Sequence, residues 1–297
     1  MGRETNRQRR EKQAATAREK AAAARAAQAR VDQRRRAKTI LSTVVAVAVV
    51  IAVIAVIAIT RPGKQTPEGE RQPASTSLVD GVTGVTPATY NQVGQGSASL
   101  DAAKAINAAP LTKDGKPELL FIGGEFCPYC AAERWSMVQA LSRFGTFKDL
   151  NRIRSSSTDT FPNTATFSFY KSSYTSKYLS FVSVENRNRA NDGTDLEPVT
   201  SAEKKIWSKY TQLSFPFLYL DGKYVLTNTG FSPGDLAGLD WDQIVADLKD
   251  PTSTVAKDIL GEANVLTAMI CKATNGQPGD VCSAEGVTKI TLPTAGA

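Results

Sequence analysis

Residues 40–59 form twenty consecutive positions without a charge, and only Ser42 and Thr43 among them are polar. At about 1.5 Å of helical rise per residue, twenty residues reach roughly 30 Å, the thickness of a bilayer's hydrocarbon core. A helix in a soluble core keeps a polar face, and this stretch has none. The pattern predicts a transmembrane helix over residues 40–60. The cluster Arg34-Arg35-Arg36-Ala37-Lys38 stands directly before it. Basic residues are retained on the cytoplasmic side, so residues 1–39 are expected inside the cell and residues 61–297 outside it. A cleaved signal peptide is the rival reading, but its apolar region usually runs only about 7–15 residues. With one such segment, a single-pass protein of the cell membrane is expected.

This division explains the charge. The net charge is +7, yet residues 1–39 hold 13 Lys+Arg against 4 Asp+Glu, and the remainder holds 23 against 25. The basic excess belongs to the tail, where it suits anionic headgroups. The rest has no surplus that would hold nucleic acid, and no nucleic-acid partner is expected. Hydrophobic residues make up 41%, enough for a core. There is no histidine. Chemistry that needs an imidazole is thereby excluded: Ser-His-Asp hydrolysis, Cys-His proteolysis, and His-ligated metals.

Beyond the apolar segment, Pro62, Gly63, Pro67, Gly69 and Pro73 lie among polar residues. That is linker composition, and a flexible linker is expected over residues 61–77, with a folded domain over 78–297. Ser99 is placed to cap a short helix over residues 100–109. Residues 112–117 read as a turn, and Glu118-Leu119-Leu120-Phe121-Ile122 as a buried strand. Trp135, Val138, Leu141 and Phe144 mark one stripe of a helix. Strands are expected over 165–170 and 179–184, and a helix over 201–213. A hairpin is expected over 217–227 with Asp221-Gly222 as a two-residue turn. Helices over 240–249 and from 255 to about 271 close the chain.

Between the strand at 118–122 and the next helix stands Cys127-Pro128-Tyr129-Cys130. A thiol attacks as its thiolate. The start of a helix offers unpaired N–H groups and the positive dipole end, both of which favour a negative sulfur. Cys127 falls at the expected N-cap and is the candidate nucleophile. Pro128 fits the first helical position, where its missing N–H costs nothing. Cys130, three residues on, lies on the same face and can resolve a mixed disulfide. Phe126 and Tyr129 border the sulfur and are candidate substrate contacts. Pro216, before the hairpin strand, together with Phe215, could present backbone to an extended substrate, and a cis bond there would be a kept feature.

Strand, Cys-Pro-Tyr-Cys, helix, then Phe215-Pro216 before a closing hairpin and a final helix resembles the thioredoxin superfamily, and the cysteine motif is that of glutaredoxins. The stretch Phe121-Ile-Gly-Gly-Glu-Phe-Cys-Pro-Tyr-Cys-Ala-Ala-Glu-Arg-Trp through Phe147 is similar to the thioredoxin-like family catalogued as domain of unknown function 929. The resemblance spans about residues 86–283. It implies an α/β, thioredoxin-like fold: a central mixed sheet flanked by helices. An insertion around residues 171–199 and an extra C-terminal helix are expected on it. It also implies a dithiol/disulfide site at Cys127 and Cys130, with Pro216 as a cis-proline. The Ser214-Phe215-Pro216 stretch departs from the glutathione-binding pattern of glutaredoxins.

The expected function is a membrane-tethered, extracytoplasmic thiol–disulfide oxidoreductase, an oxidase or isomerase rather than a reductase. It would act on the cysteines of exported proteins, with a membrane thiol oxidase or electron carrier recycling it, and without cofactor or metal. A non-catalytic binding module and a thiolate metal carrier are the alternatives. Glu125 and Glu133 flank the pair as candidate proton acceptors, their plainer reading being helix-start and surface acids. Arg134 is expected to face water, with holding the thiolate's charge as the alternative, and Trp135 is expected to be core. Tyr170, Tyr174, Tyr178 and Phe181 are read as core rather than as a groove. Cys271 and Cys282 are expected to form a structural disulfide around a Gly/Pro-rich bend, a redox relay being the alternative.

Overall fold

The computed structural model describes residues 71–192 and 194–295. The basic tail, the transmembrane segment predicted over 40–60 and the linker up to residue 70 lie outside the described residues. Among the described residues, no helix is long and apolar enough to cross a membrane.

The elements in chain order are β1 (Gln72–Pro73), α1 (Thr76–Thr83), α2 (Pro87–Val93), β2 (Ala103–Ala105), β3 (Thr112–Lys113) and β4 (Lys116–Gly124). Then come α3 (Pro128–Ser142), β5 (Gly145–Lys148), β6 (Asn151–Arg154), β7 (Ala165–Ser168), β8 (Ser173–Ser176) and β9 (Ser180–Arg187). The chain closes with α4 (Ser201–Tyr210), β10 (Phe217–Leu220), β11 (Tyr224–Leu226), α5 (Trp241–Leu248), α6 (Thr254–Ala273), α7 (Gly279–Cys282) and α8 (Glu285–Thr288).

β4 is the axis of the fold. It pairs parallel with β9 and antiparallel with β10, which continues through β11 to β2, giving a central mixed sheet. Successive side chains of a strand point to opposite faces. Leu119 and Phe121 accordingly enter the core shared with α3 and α6, whereas Leu120 and Ile122 enter a second core with Trp207 of α4. A strand covered on both faces reads as an unbroken apolar run, which is why 118–122 shows no alternation. Lys113 and Lys116 close the β3–β4 hairpin across Asp114 and Gly115, both at positive φ (53° and 72°), as its tight turn requires.

α3 is buried around its whole circumference, from Cys130 to Leu141. Trp135 donates its indole N–H to Ala165 O at 2.8 Å, and Thr166 Oγ1 donates to Ala131 O at 2.7 Å, tying the helix to β7. Gln139 Nε2 donates to Val82 O at the end of α1. On another side Ser136 donates to Glu262 of α6. A helix with neighbours on every side has no solvent face, so the stripe of Trp135, Val138 and Leu141 is one of several buried faces.

Several expectations need correction. No helix follows Ser99: Ala103–Ala105 instead pairs with β11, and Ser99 accepts the Asp101 N–H in a turn. Sheet pairing overrides the helix propensity of an alanine-rich stretch. Residues 171–199 are not an insertion, because β9 lies among them and is the parallel neighbour of β4. The folded part also begins before residue 78. Gln72 pairs with Arg152, and Ser75 caps α1 by accepting the Leu78 N–H. In the β10–β11 hairpin Lys223 N–H donates to Leu220 O across Asp221 and Gly222, but the ladder pairs Leu220 with Tyr224 and leaves Lys223 in the loop. The disulfide Cys271–Cys282 is present, with Cα atoms 5.6 Å apart.

Candidate active site

β4 ends at Gly123-Gly124, where neither residue has room for a side chain. A Cβ on Gly123 would stand 2.3 Å from the Phe121 ring, and one on Gly124 would stand 2.7 Å from the Phe126 ring. The chain then turns, and Cys127 N–H donates to Gly124 O at 3.2 Å. Cys127 is the N-cap of α3, in extended backbone, and its sulfur accepts the Cys130 N–H at 3.2 Å. Pro128 occupies the first helical position. Both cysteines are free thiols.

The two thiols are unequal. Cys127 is 6% exposed and Cys130 is fully enclosed, so only the first can meet a macromolecular substrate. The Cys130 thiol as a hydrogen-bond donor, the N–H groups of Cys130 and Tyr129, and the Arg134 charge together hold the Cys127 thiol below its ordinary pKa, against the opposing effect of burial. Burial, the hydrogen bond to Cys127 and the charge of that neighbour push the Cys130 thiol well above the ordinary value. The pair therefore has a thiolate-prone outer sulfur and a protonated inner one.

Arg134, expected in water, is completely buried. Its Nε and Nη2 donate to Glu185 of β9 at 2.8 and 2.5 Å, and Nη2 also donates to Gly124 O at 3.0 Å. The Glu185 carboxylate raises its pKa further, so the guanidinium is always charged. Glu125 is buried too, 2.9 Å from Arg71 Nε and accepting the Ser168 hydroxyl at 2.6 Å. Burial and the negative Glu185 push its pKa up.

Glu133 is likewise buried rather than on the surface. Its neighbour is Glu262 of α6, and burial followed by the Glu262 charge raises its pKa well above the ordinary range. Burial beside Glu262 thus favours the neutral form of Glu133, whose two buried oxygens have no hydrogen-bond partner among the described residues. Glu262 accepts from Ser136 and Thr229 at 3.0 Å each and from Gly230 N–H at 2.5 Å. A raised pKa favours the neutral form, which is the opposite of the surface acid expected at this position.

The rim is aromatic. Tyr129 is 36% exposed and packs edge-on against Phe161. Phe126 is half-buried, 6.0 Å from the ring of Phe215. Phe215–Pro216 is cis. The β10 register runs from Leu220 opposite Leu119 to Phe217 opposite Ile122, so Pro216 arrives at the end of β4 from which the cysteine turn departs. Of the residues that sequence reasoning named, the structure pairs Cys127 with Cys130 and Phe126 with Phe215, sets Tyr129 against Phe161, and buries Glu125 beside Arg71 and Ser168. It gave no sign of Glu185 or Glu262, and it favoured water over the thiolate as the surroundings of Arg134, which is buried. The available signal was that α3 has apolar or small residues at nearly every position around Glu133 and Arg134, which leaves those two no face to water.

The family model described as Domain of unknown function (DUF929) matches residues 103–272. The chain belongs to this family. No curated protein and no solved structure matches it. The DUF929 region contains Cys127, Cys130, Arg134, Glu185, Pro216 and Glu262. It includes Cys271 but ends before Cys282, so the disulfide joins the matched region to a residue beyond it. Among the described residues no three His, Cys, Asp or Glu side chains gather as a metal site.

Proposed function

We propose that the chain is a membrane-tethered, extracytoplasmic thiol–disulfide oxidoreductase on a thioredoxin-like fold. The observation that carries the reading is the inequality of the two thiols at the start of α3. Cys127 accepts the Cys130 N–H and is held towards thiolate, while Cys130 is enclosed and protonated. The strand before the motif and the hairpin after Pro216 support the fold assignment. The tether rests on residues 40–59 and the basic cluster before them.

In the oxidising direction a client thiolate attacks the Cys127 sulfur of the Cys127–Cys130 disulfide. That bond breaks and its electron pair leaves on Cys130. A second client thiol, losing its proton, attacks the mixed disulfide and releases Cys127 as thiolate. The client gains a disulfide, the site becomes a dithiol, and Cys130 takes up the proton. Exported cysteine-containing proteins are the clients, and a membrane thiol oxidase re-forms the disulfide. Phe126, Tyr129, Phe215 and Pro216 form the contact surface beside the nucleophile.

The test is incubation of the full chain with a fluorescent peptide dithiol. The oxidised protein is expected to convert it to the disulfide, and Cys130→Ser, given the peptide in its disulfide form, to accumulate a mixed disulfide at Cys127 with release of the second peptide thiol. Absence of both turnover and adduct would defeat the proposal.

A further inference from the structure

We infer that Arg134 is the positioning residue of this exchange: its guanidinium, fixed by Glu185, receives the negative charge that appears on the Cys130 sulfur when the Cys127–Cys130 bond opens. The inference rests on the reading just given and adds the residue that makes an enclosed sulfur a workable leaving group.

Cys130 and Arg134 are four residues apart on α3, one turn along the same face. Helical side chains lean towards the N-terminus, so Arg134 extends back over the turn that holds Cys130. The Gly124 carbonyl ties Arg134 to the cysteine turn: it accepts Arg134 Nη2 at 3.0 Å and Cys127 N–H at 3.2 Å. Glu185 grips Nε and Nη2 and also accepts the Phe169 N–H at 3.0 Å, which fixes the carboxylate itself. The grip leaves Nη1 over. That nitrogen is buried and has no hydrogen-bond acceptor among the described residues.

A buried charged donor without an acceptor is costly. A purely structural ion pair has no use for one. A site that develops negative charge during reaction does, because a preset donor then needs no reorganisation. Cys130 as a leaving thiolate is such a charge, formed where water does not reach. Glu125, the other acid near the guanidinium, is already matched by Arg71 and Ser168.

The experiment uses the full chain with the Cys127–Cys130 disulfide formed, and follows its opening by dithiothreitol. The double variant Arg134→Met, Glu185→Gln removes both charges together, so neither ion is left alone in the interior. Opening is expected to slow about tenfold or more, the weight of one to three pKa units that a neighbouring opposite charge carries. Arg134→Lys retains the charge without the fork. It is expected to slow opening several-fold and to remain faster than the double variant. Alkylation of Cys127 in a Cys130→Ser background is expected to change less than the opening rate. An unchanged opening rate in Arg134→Lys, or in a folded double variant, would overturn the assignment. Failure of the wild-type disulfide to open at all would count against the exchange activity itself, independently of Arg134.

Discussion

The chain holds two pairs of cysteines in opposite states, and the ends of two helices account for the difference. Cys127 and Cys130 open α3, where unpaired N–H groups and the positive dipole end favour a thiolate. Cys271 lies in the last turn of α6, at the negative end, and is bonded to Cys282 eleven residues on. The first pair has a buried cation within its electrostatic reach and an aromatic rim. The second spans the bend between α6 and α7 and fastens α7 to α6. On the proposed function, one residue type would serve as reagent at one end of a helix and as clamp at another.

Changes at the first pair should separate these roles most sharply. Cys127→Ser is expected to reduce dithiol oxidation to background while leaving thermal unfolding nearly unchanged. A retained rate would move the nucleophile elsewhere. The converse is expected of Cys271→Ser with Cys282→Ser: exchange persists, but denaturant unfolding shows a loss of roughly 2–3 kcal/mol for the closed loop. Loss of exchange in a folded sample would make the second pair a relay.

A smaller effect concerns the buried acids beside the site. Glu133 binds its proton more tightly in the folded chain than at its ordinary value of 4.5. Its contribution is therefore full below that value and is lost as the pH rises towards the raised folded pKa. Glu133→Gln keeps a neutral polar group of the same size beside Glu262 without a titrating group. Its melting temperature should match the wild type near pH 4 and exceed it at pH 8. Equal slopes of melting temperature against pH would contradict the raised pKa of Glu133. The smallest effect is expected at the rim: Tyr129→Ala should raise the KM for a peptide dithiol a few-fold and leave stability unchanged. An unchanged KM would remove Tyr129 from the contact surface.

The sequence revealed the local features of the site and little of what surrounds it. The N-cap position of Cys127, the first-turn proline and the buried strand before them follow from short-range rules. The hairpin at 217–227 follows from Asp221-Gly222. The Cys271–Cys282 bond follows from a short Gly/Pro-rich bend between two cysteines. What stayed hidden depends on packing between distant segments. Arg134 reads as a surface residue until β9, β7, α1 and α6 close around α3, and Glu185 lies 51 residues from Arg134 and Glu262 lies 126 from Ser136. The same holds for β9 itself, which reads as part of an insertion because parallel pairing leaves no hairpin signal. The alanine-rich 100–109 stretch failed in the other direction, its local preference yielding to an available edge at β11.

The most direct measurement is the reduction potential of each pair in the full chain, solubilised in detergent and equilibrated in thiol/disulfide buffers. Differential alkylation and mass spectrometry would report the two pairs separately. Cys127 and Cys130 are expected to exchange between about −120 and about −270 mV, nearer the first value if the protein is an oxidase or isomerase. Cys271–Cys282 is expected to remain bonded where the first pair is already reduced. A potential below about −300 mV for Cys127–Cys130, or reduction of both pairs together, would contradict the division into reagent and clamp.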